Sequence, residues 1–360
     1  MKIIIFAGGI GTRLWPLSRK NSPKQFGKIV GDQSTLQQAV ERLLPEFTAS
    51  DIYIATGNQH KEVIMEQLPT IPKDNFIFEP TMQDVGPAIG LSAYLLEKRF
   101  KDEPIGIIWS DHIVSNEVAF RSALRLAEKQ VSDKNSDFVF IAQKPRFANQ
   151  NCGWLELGEK IKKEDASEIY KFKRLRYRPK PEEAEEFYKN KDYVWNLGYF
   201  VTTPKYLIDL YRDYMPEMHK KLLKIQKTAG SPDFTKTLEE IYPTMEKISF
   251  DDAILVKLAP NNFRVIAADL GWSDVGTWDA LKEALAGNKH ENITLGDVIL
   301  EDTKDTLLFN YDKKLCLGID LNEIIIINTE DVLLVCPKNS VPKIKKFVEK
   351  LSSTAYKHLV

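Results

Sequence analysis

The stretch Lys2-Ile3-Ile4-Ile5-Phe6-Ala7-Gly8-Gly9-Ile10-Gly11-Thr12-Arg13-Leu14 decides how the chain is to be read. Residues 3–6 form a short apolar run, the pattern of a strand buried on both faces. Three glycines follow at once. Glycine reaches positive φ without a Cβ clash, so backbone N–H groups can close on a ligand, usually phosphate oxygens. Glycines alone would be satisfied by a tight strand-to-helix turn. The spacing is not G-x-G-x-x-G, and no G-K-[ST] follows to make a Walker loop. Two cations tip the balance: Arg13, able to fork two phosphate oxygens, and Lys24, a mobile point charge just past the loop. A triphosphate losing pyrophosphate needs such neutralisation as charge builds on the leaving oxygens.

Outward from this loop, apolar runs alternate with amphipathic segments. Residues 52–55, 76–78, 105–109 and 138–142 read as buried strands, and 35–44, 59–68, 85–100 and 118–130 as helices. Such alternation predicts βαβ units: an α/β fold with a doubly wound, mainly parallel sheet and a crevice at the strands' carboxyl ends. From about Gly153 the texture is mixed. Residues 154–157 alternate, 160–178 are strongly charged, and 181–189 look like a short exposed helix. This stretch is expected to be an insertion forming one side of the cleft. Short strands at 297–300, 306–309, 315–318, 323–328 and 331–335 then suggest a small β-rich appendage, with an amphipathic helix at 341–351. The expected division is residues 1–290 and 291–360. No fixed repeat period is convincing.

Lys and Arg total 50 against 51 Asp and Glu, so no overall field steers the chain toward nucleic acid or an anionic membrane. A polyanionic substrate must be held by a local cluster instead. Cys152, Cys316 and Cys336 stand far apart with no C-x-x-C spacing, which argues against a disulfide framework or zinc site. The apolar start is too short for a signal peptide, and no later run is long enough to cross a bilayer. A soluble, cytoplasmic protein is expected.

The segment Gly8-Gly9-Ile10-Gly11-Thr12-Arg13-Leu14-Trp15-Pro16-Leu17-Ser18-Arg19, with Pro23-Lys24-Gln25-Phe26, closely resembles the signature of the mannose-1-phosphate guanylyltransferases. Further matches follow in order: Glu79-Pro80 with Gly86-Pro87-Ala88, Ser110-Asp111-His112, Trp195-Asn196-Leu197-Gly198-Tyr199-Phe200, Ser249-Phe250-Asp251-Asp252-Ala253, and Gly271-Trp272-Ser273-Asp274-Val275-Gly276-Thr277-Trp278. The resemblance implies a Rossmann-like catalytic domain and a left-handed β-helix-like tail. It implies GTP and mannose 1-phosphate as substrates, in-line attack at the α-phosphorus, and Mg2+ as cofactor. Arg13 and Lys24 would be catalytic. Ala7, Gly8, Gly9, Gly11, Thr12, Gly86, Pro87 and Ser110 would bind the nucleotide, and Gly153, Tyr177, Arg178 and Asn196 the sugar phosphate. Taken alone, Asp111 and Asp274 read as cap or turn residues; carried over from the family motifs, both are metal ligands. The attacking phosphate is already anionic, so His112 need not act as a base. Longer members carry a fused phosphomannose isomerase domain, and this chain is expected to be too short for one.

The sugar side departs from the pattern. Where the family has Thr-Gly-Tyr-Gly-Tyr-Ile, this chain has Gln150-Asn151-Cys152-Gly153-Trp154-Leu155, and Tyr177-Arg178-Pro179 replaces Glu-Lys-Pro. The usual Arg-Asn-Thr is Gln83-Asp84-Val85. Losing a carboxylate that accepts from hydroxyls can shift selectivity by orders of magnitude. Another hexose or heptose 1-phosphate therefore stays open as substrate. So does a non-catalytic subunit that binds a GDP-sugar, although retention of both cations and both carboxylates argues against it. Exposed strand edges in the tail are a candidate surface for a homodimer.

Overall fold

The computed structural model describes residues 1–9, 14–19, 24–29 and 31–360, with the backbone alone at Lys24. The chain divides into two compact units. One comprises residues 1–8, 40–109 and 115–270; the other comprises 9–39, 110–114 and 271–360.

The first unit is built on a nine-stranded sheet. Its strands begin with β1 (Lys2–Phe6), β2 (Ile52–Gly57), β3 (Phe76–Glu79) and β4 (Ile105–Trp109). After β5 (Ile113–Val114), which belongs to the second unit, come β6 (Phe138–Gln143), β7 (Gly153–Glu164) and β8 (Ser167–Tyr177). The set closes with β9 (Tyr193–Thr202) and β10 (Phe263–Ala268). The order is β3-β2-β1-β4-β9-β6-β10-β8-β7, with an additional β9–β7 pairing. The pairings leave all strands but β8 and β9 pointing the same way, so the sheet is mixed and mainly parallel. Ile3, Ile4 and Ile5 are fully buried, as a strand inside a parallel sheet requires. The helix expected at 85–100 is Val85–Phe100; that expected from residue 59 begins at Lys61, after a 3₁₀ turn.

The stretch expected to be an insertion extends this same sheet. Its charged part is the long hairpin β7–β8, which buries Ile169, Phe172 and Leu175. Its outer charges pair across the ladder, Lys160 with Glu168 and Lys171 with Glu159. Alternation was obscured by these cross-strand ion pairs and by register shifts within the hairpin.

In the second unit β5 pairs antiparallel with β11 (Trp272–Ser273). The tail follows as β12 (Ile293–Leu295), β13 (Val298–Glu301), β14 (Leu307–Asn310), β15 (Cys316–Ile319), β16 (Ile324–Asn328) and β17 (Leu333–Pro337). Val298 pairs with Cys316, Lys304 with Asn322 and Leu307 with Ile325, each parallel and each 18 positions apart. That common offset is the rung of a β-helix. Its repeat escaped sequence inspection because so few rungs are present and the last strand, β17, turns back antiparallel to β16. Leu307, Phe309, Ile325 and Ile327 fill its interior. Beside it, buried Asp305 pairs with Lys282 and Lys338. No helix among the described residues is long and apolar enough to cross a membrane.

Candidate active site

In the first unit, the end of β1 is locked to its neighbour. Ala7 donates its N–H to Ala55 O at 2.8 Å, and its carbonyl accepts the Thr56 hydroxyl at 2.8 Å. The exposed Gly8 follows. Gly9, which is grouped with the second unit, has φ +98, a conformation that favours glycine. Its carbonyl accepts from Gln25 Nε2 at 3.1 Å. Gly11, Thr12 and Arg13 lie outside the described residues. Lys24 opens a short 3₁₀ turn, Lys24–Phe26, and its side chain is outside the description.

One segment of the first unit, residues 242–248, gathers Glu79, Gln83 and Gly86. Tyr242 donates its hydroxyl to the Glu79 carboxylate at the end of β3. Burial pushes that carboxyl up to about 7, against the opposing pull of the Tyr242 hydrogen bond. Gln83 Nε2 donates to Pro243 O at 2.6 Å, and Gly86 N–H to Ile248 O at 2.9 Å. A Cβ on Gly86 would sit 2.7 Å from that Ile248 oxygen, so the position admits nothing larger. Gly86 and Pro87 are buried in the first turn of Val85–Phe100, whose cap is Asp84, at φ 71 with its side chain accepting from Val85 N–H.

Sheet register assembles the expected sugar-phosphate residues, also within the first unit. Gly153 is opposite both Tyr177 on β8 and Asn196 on β9, and Asn196 is opposite Ala142 near the carboxyl end of β6. A Cβ on Gly153 would meet Asn196 Cβ at 3.2 Å and Tyr177 Cδ2 at 3.6 Å. Arg178, at φ 47, turns its guanidinium over the Tyr177 ring, 4.9 Å from the centroid. Asn196 Nδ2 donates to Asp251 Oδ1 at 3.1 Å. Burial raises the Asp251 carboxyl to about 6; Asp252 adds to the rise, while Arg178 and Asn196 oppose it. Gly153, Tyr177, Arg178 and Asn196 are thus brought together. Asp251 is the member that the sequence reading quoted in a motif without giving it a role. Its signal was the Ser249 cap of a short helix, Phe250–Ala253, which reads equally well as ordinary capping.

In the second unit, β5 follows Ser110-Asp111-His112 and β11 precedes Asp274. Ser273 is opposite Ile113 in the last pair of that ladder, so Asp274 and His112 each lie one residue beyond the same end of it, and Asp111 two. Trp272 Nε1 donates to His112 Nδ1 at 3.0 Å, which leaves the proton of a neutral ring on Nε2, 3.8 Å from Asp111 Oδ1. Val275, after Asp274, sits at φ 39, a strained conformation for a β-branched residue. Ser110 Oγ is buried with no hydrogen-bond partner among the described residues. An orphaned hydroxyl next in the chain to the Asp111 carboxylate suits hard oxygen chemistry. No group of three or more His, Cys, Asp or Glu clusters as a ready-made metal cage among the described residues.

A family model described as "Nucleotidyl transferase" matches residues 2–291. The chain belongs to the nucleotidyl transferase family. A second model, for the "MannoseP isomerase/GMP-like beta-helix domain", matches residues 296–351. Mannose-1-phosphate guanylyltransferase RfbM of Salmonella typhimurium is 30% identical over 97% of this chain and 72% of its own length. Mannose-1-phosphate guanylyltransferase 2 of Escherichia coli O157:H7 is 29% identical over 97% and 73%. A crystal structure described as mannose-1-phosphate geranyltransferase from Thermus thermophilus superposes with a TM-score of 0.86 at 27% identity, covering 98% of this chain and 99% of that one. The α/β sheet, the β-helix tail and the enzyme class expected from the sequence are all borne out.

Proposed function

We propose that this nucleotidyltransferase joins GTP to mannose 1-phosphate, giving GDP-mannose and pyrophosphate. The observation that carries the reading is the gathering of Gly153, Tyr177, Arg178, Asn196 and Asp251 at the carboxyl end of β6, in a chain of this family. Residues 1–290 form the catalytic domain and 291–360 the tail. The enzyme is cytoplasmic, and its tail supports a homodimer.

Asp111 and Asp274 would hold a magnesium ion. Bound there, it supplies charge neutralisation at the reacting phosphates. The chain's own groups do the rest. Ala7, Gly8, Gly9, Gly11, Thr12 and Ser110 line the phosphates, while Gly86 and Pro87 shape the base subsite beside Glu79. Arg178 meets the sugar phosphate, and Asn196 and Asp251 bind sugar hydroxyls. An oxygen of the sugar phosphate attacks the α-phosphorus; the bond to the β-phosphate breaks, and its electrons leave with pyrophosphate. Arg13 and Lys24 neutralise the charge on the departing oxygens.

Pyrophosphate release from GTP and Mg2+, with mannose 1-phosphate added or omitted, tests the reading. Release dependent on mannose 1-phosphate supports it, and absence of release sinks it. Tyr177, standing where a glutamate was expected, favours one second reading: the same transfer to another hexose or heptose 1-phosphate, detected by running the assay over a panel. Tight GDP-mannose binding without turnover on any sugar phosphate would instead mark a regulatory homologue.

A further inference from the structure

Gly86, in the first turn of the helix Val85–Phe100, is held from two sides. Its N–H is one of the first-turn donors that find no partner inside a helix, and it goes to Ile248 O at 2.9 Å. Its carbonyl accepts the hydroxyl of Tyr211, from the helix Pro204–Tyr214. Tyr211 is fully buried and its ring is closely seated: a Cβ on Gly90, one turn along from Gly86, would lie 3.1 Å from it. Tyr94 packs edge-on against the same ring, 6.3 Å between centroids, and its own hydroxyl is bonded to His219 Nδ1. The Tyr211 ring also meets Phe250, at 6.1 Å and tilted by 32°. Phe250 stacks on Phe200 of β9 and opens the short helix whose next residue is Asp251. One buried phenol thus touches Gly86 with its hydroxyl and the helix of Asp251 with its ring.

We propose that Tyr211 is a positioning residue for both substrates: its hydroxyl fixes Gly86 at the base subsite, and its ring braces Phe250 so that Asp251 keeps its place on the sugar side. This deepens the guanylyl-transfer reading and rests on it. Tyr211 touches neither substrate and acts through the two residues it holds. The turn that carries Gly86 is tied by the bonds to Ile248 and Tyr211, and deleting one of them frees it to move. A misplacement of about 1 Å in a site can cost up to about 100-fold, so a shift of a fraction of that is measurable. The hydroxyl's effect falls on the base, because the residues that line the phosphates are other ones.

The test uses the full chain and measures GTP binding in the presence of Mg2+ by calorimetry. Inorganic tripolyphosphate serves as the base-free control, with the mannose 1-phosphate KM alongside and a melting curve to show that each variant is folded. Tyr211→Phe deletes one oxygen and keeps the ring. It should weaken GTP binding about threefold to tenfold, leaving tripolyphosphate affinity and the mannose 1-phosphate KM at their wild-type values. Tyr211→Leu removes the ring as well, and should raise the mannose 1-phosphate KM in addition. GTP affinity equal to wild type in Tyr211→Phe overturns the proposal. So do equal losses for GTP, tripolyphosphate and mannose 1-phosphate in that variant, the mark of a merely structural contact. A folded Tyr211→Leu with an unchanged mannose 1-phosphate KM overturns the sugar-side half. A wild-type chain that binds no GTP would end the guanylyl-transfer reading itself.

Discussion

The Asn196 amide donates to the Asp251 carboxylate across 3.1 Å, joining strand β9 to a short helix 55 residues further along the chain. Asn196 is itself fixed by Gly198, whose N–H donates to Asn196 Oδ1 at 3.2 Å. Both faces of the amide are therefore used, and Asp251 is held at one orientation beside Tyr177 and Arg178.

That arrangement predicts a sugar-specific defect in Asp251→Asn. The variant should lose about 10- to 100-fold in kcat/KM for the sugar phosphate while its affinity for GTP stays at the wild-type level. In the wild type, kcat/KM should climb from about pH 5 to about pH 7 as the carboxyl, raised to about 6, ionises; the variant should be flatter. Equal losses for both substrates would remove Asp251 from the sugar side.

The carboxylates beside the β5–β11 ladder make a second prediction. Asp111→Asn and Asp274→Asn should each abolish most turnover, by about three orders of magnitude or more, with the far-ultraviolet circular dichroism spectrum unchanged. Chelation of divalent ions should silence the wild type, with Mg2+ restoring it. Near-normal rates in either variant would break the metal assignment.

Glu79 supplies a stability prediction with a definite sign. Its folded-state carboxyl is raised to about 7 by burial, so ionisation there opposes folding. The penalty is absent at about pH 4, where the group is protonated folded and unfolded, and complete above about pH 7. Glu79→Gln, which can still accept from Tyr242, should therefore gain on the wild type as pH rises. The gain between about pH 4 and pH 8 is about 2–3 kcal/mol in chemical denaturation. A constant difference across that range would mean that Glu79 titrates like an exposed carboxylate.

Gly198 has φ +72, and a Cβ placed there would overlap the indole nitrogen of Trp109. Gly198→Ala combines backbone strain with that collision. It should destabilise the chain by about 2 kcal/mol or more and move the tryptophan emission maximum. A melting curve and emission spectrum matching the wild type would show that the turn relaxes without cost.

The amino-acid sequence by itself determined the α/β class, the strand after Lys2, the long helix at Val85–Phe100 and the order of the functional motifs. These rest on local chemistry: apolar runs, helical periodicity, and glycines at the turn that follows the first strand. The long hairpin β7–β8 was only half legible, because its charged residues pair with one another across strands that no local pattern reveals. Only the tertiary structure decided which distant residues share a subsite. Gly153 meets Asn196 through sheet register, Asp251 joins them through one side-chain hydrogen bond, and the Trp15 indole finds the Leu359 carbonyl 344 positions away. Such partners are set by packing and register, which depend on the whole chain having closed, and no window of sequence contains both halves of the contact.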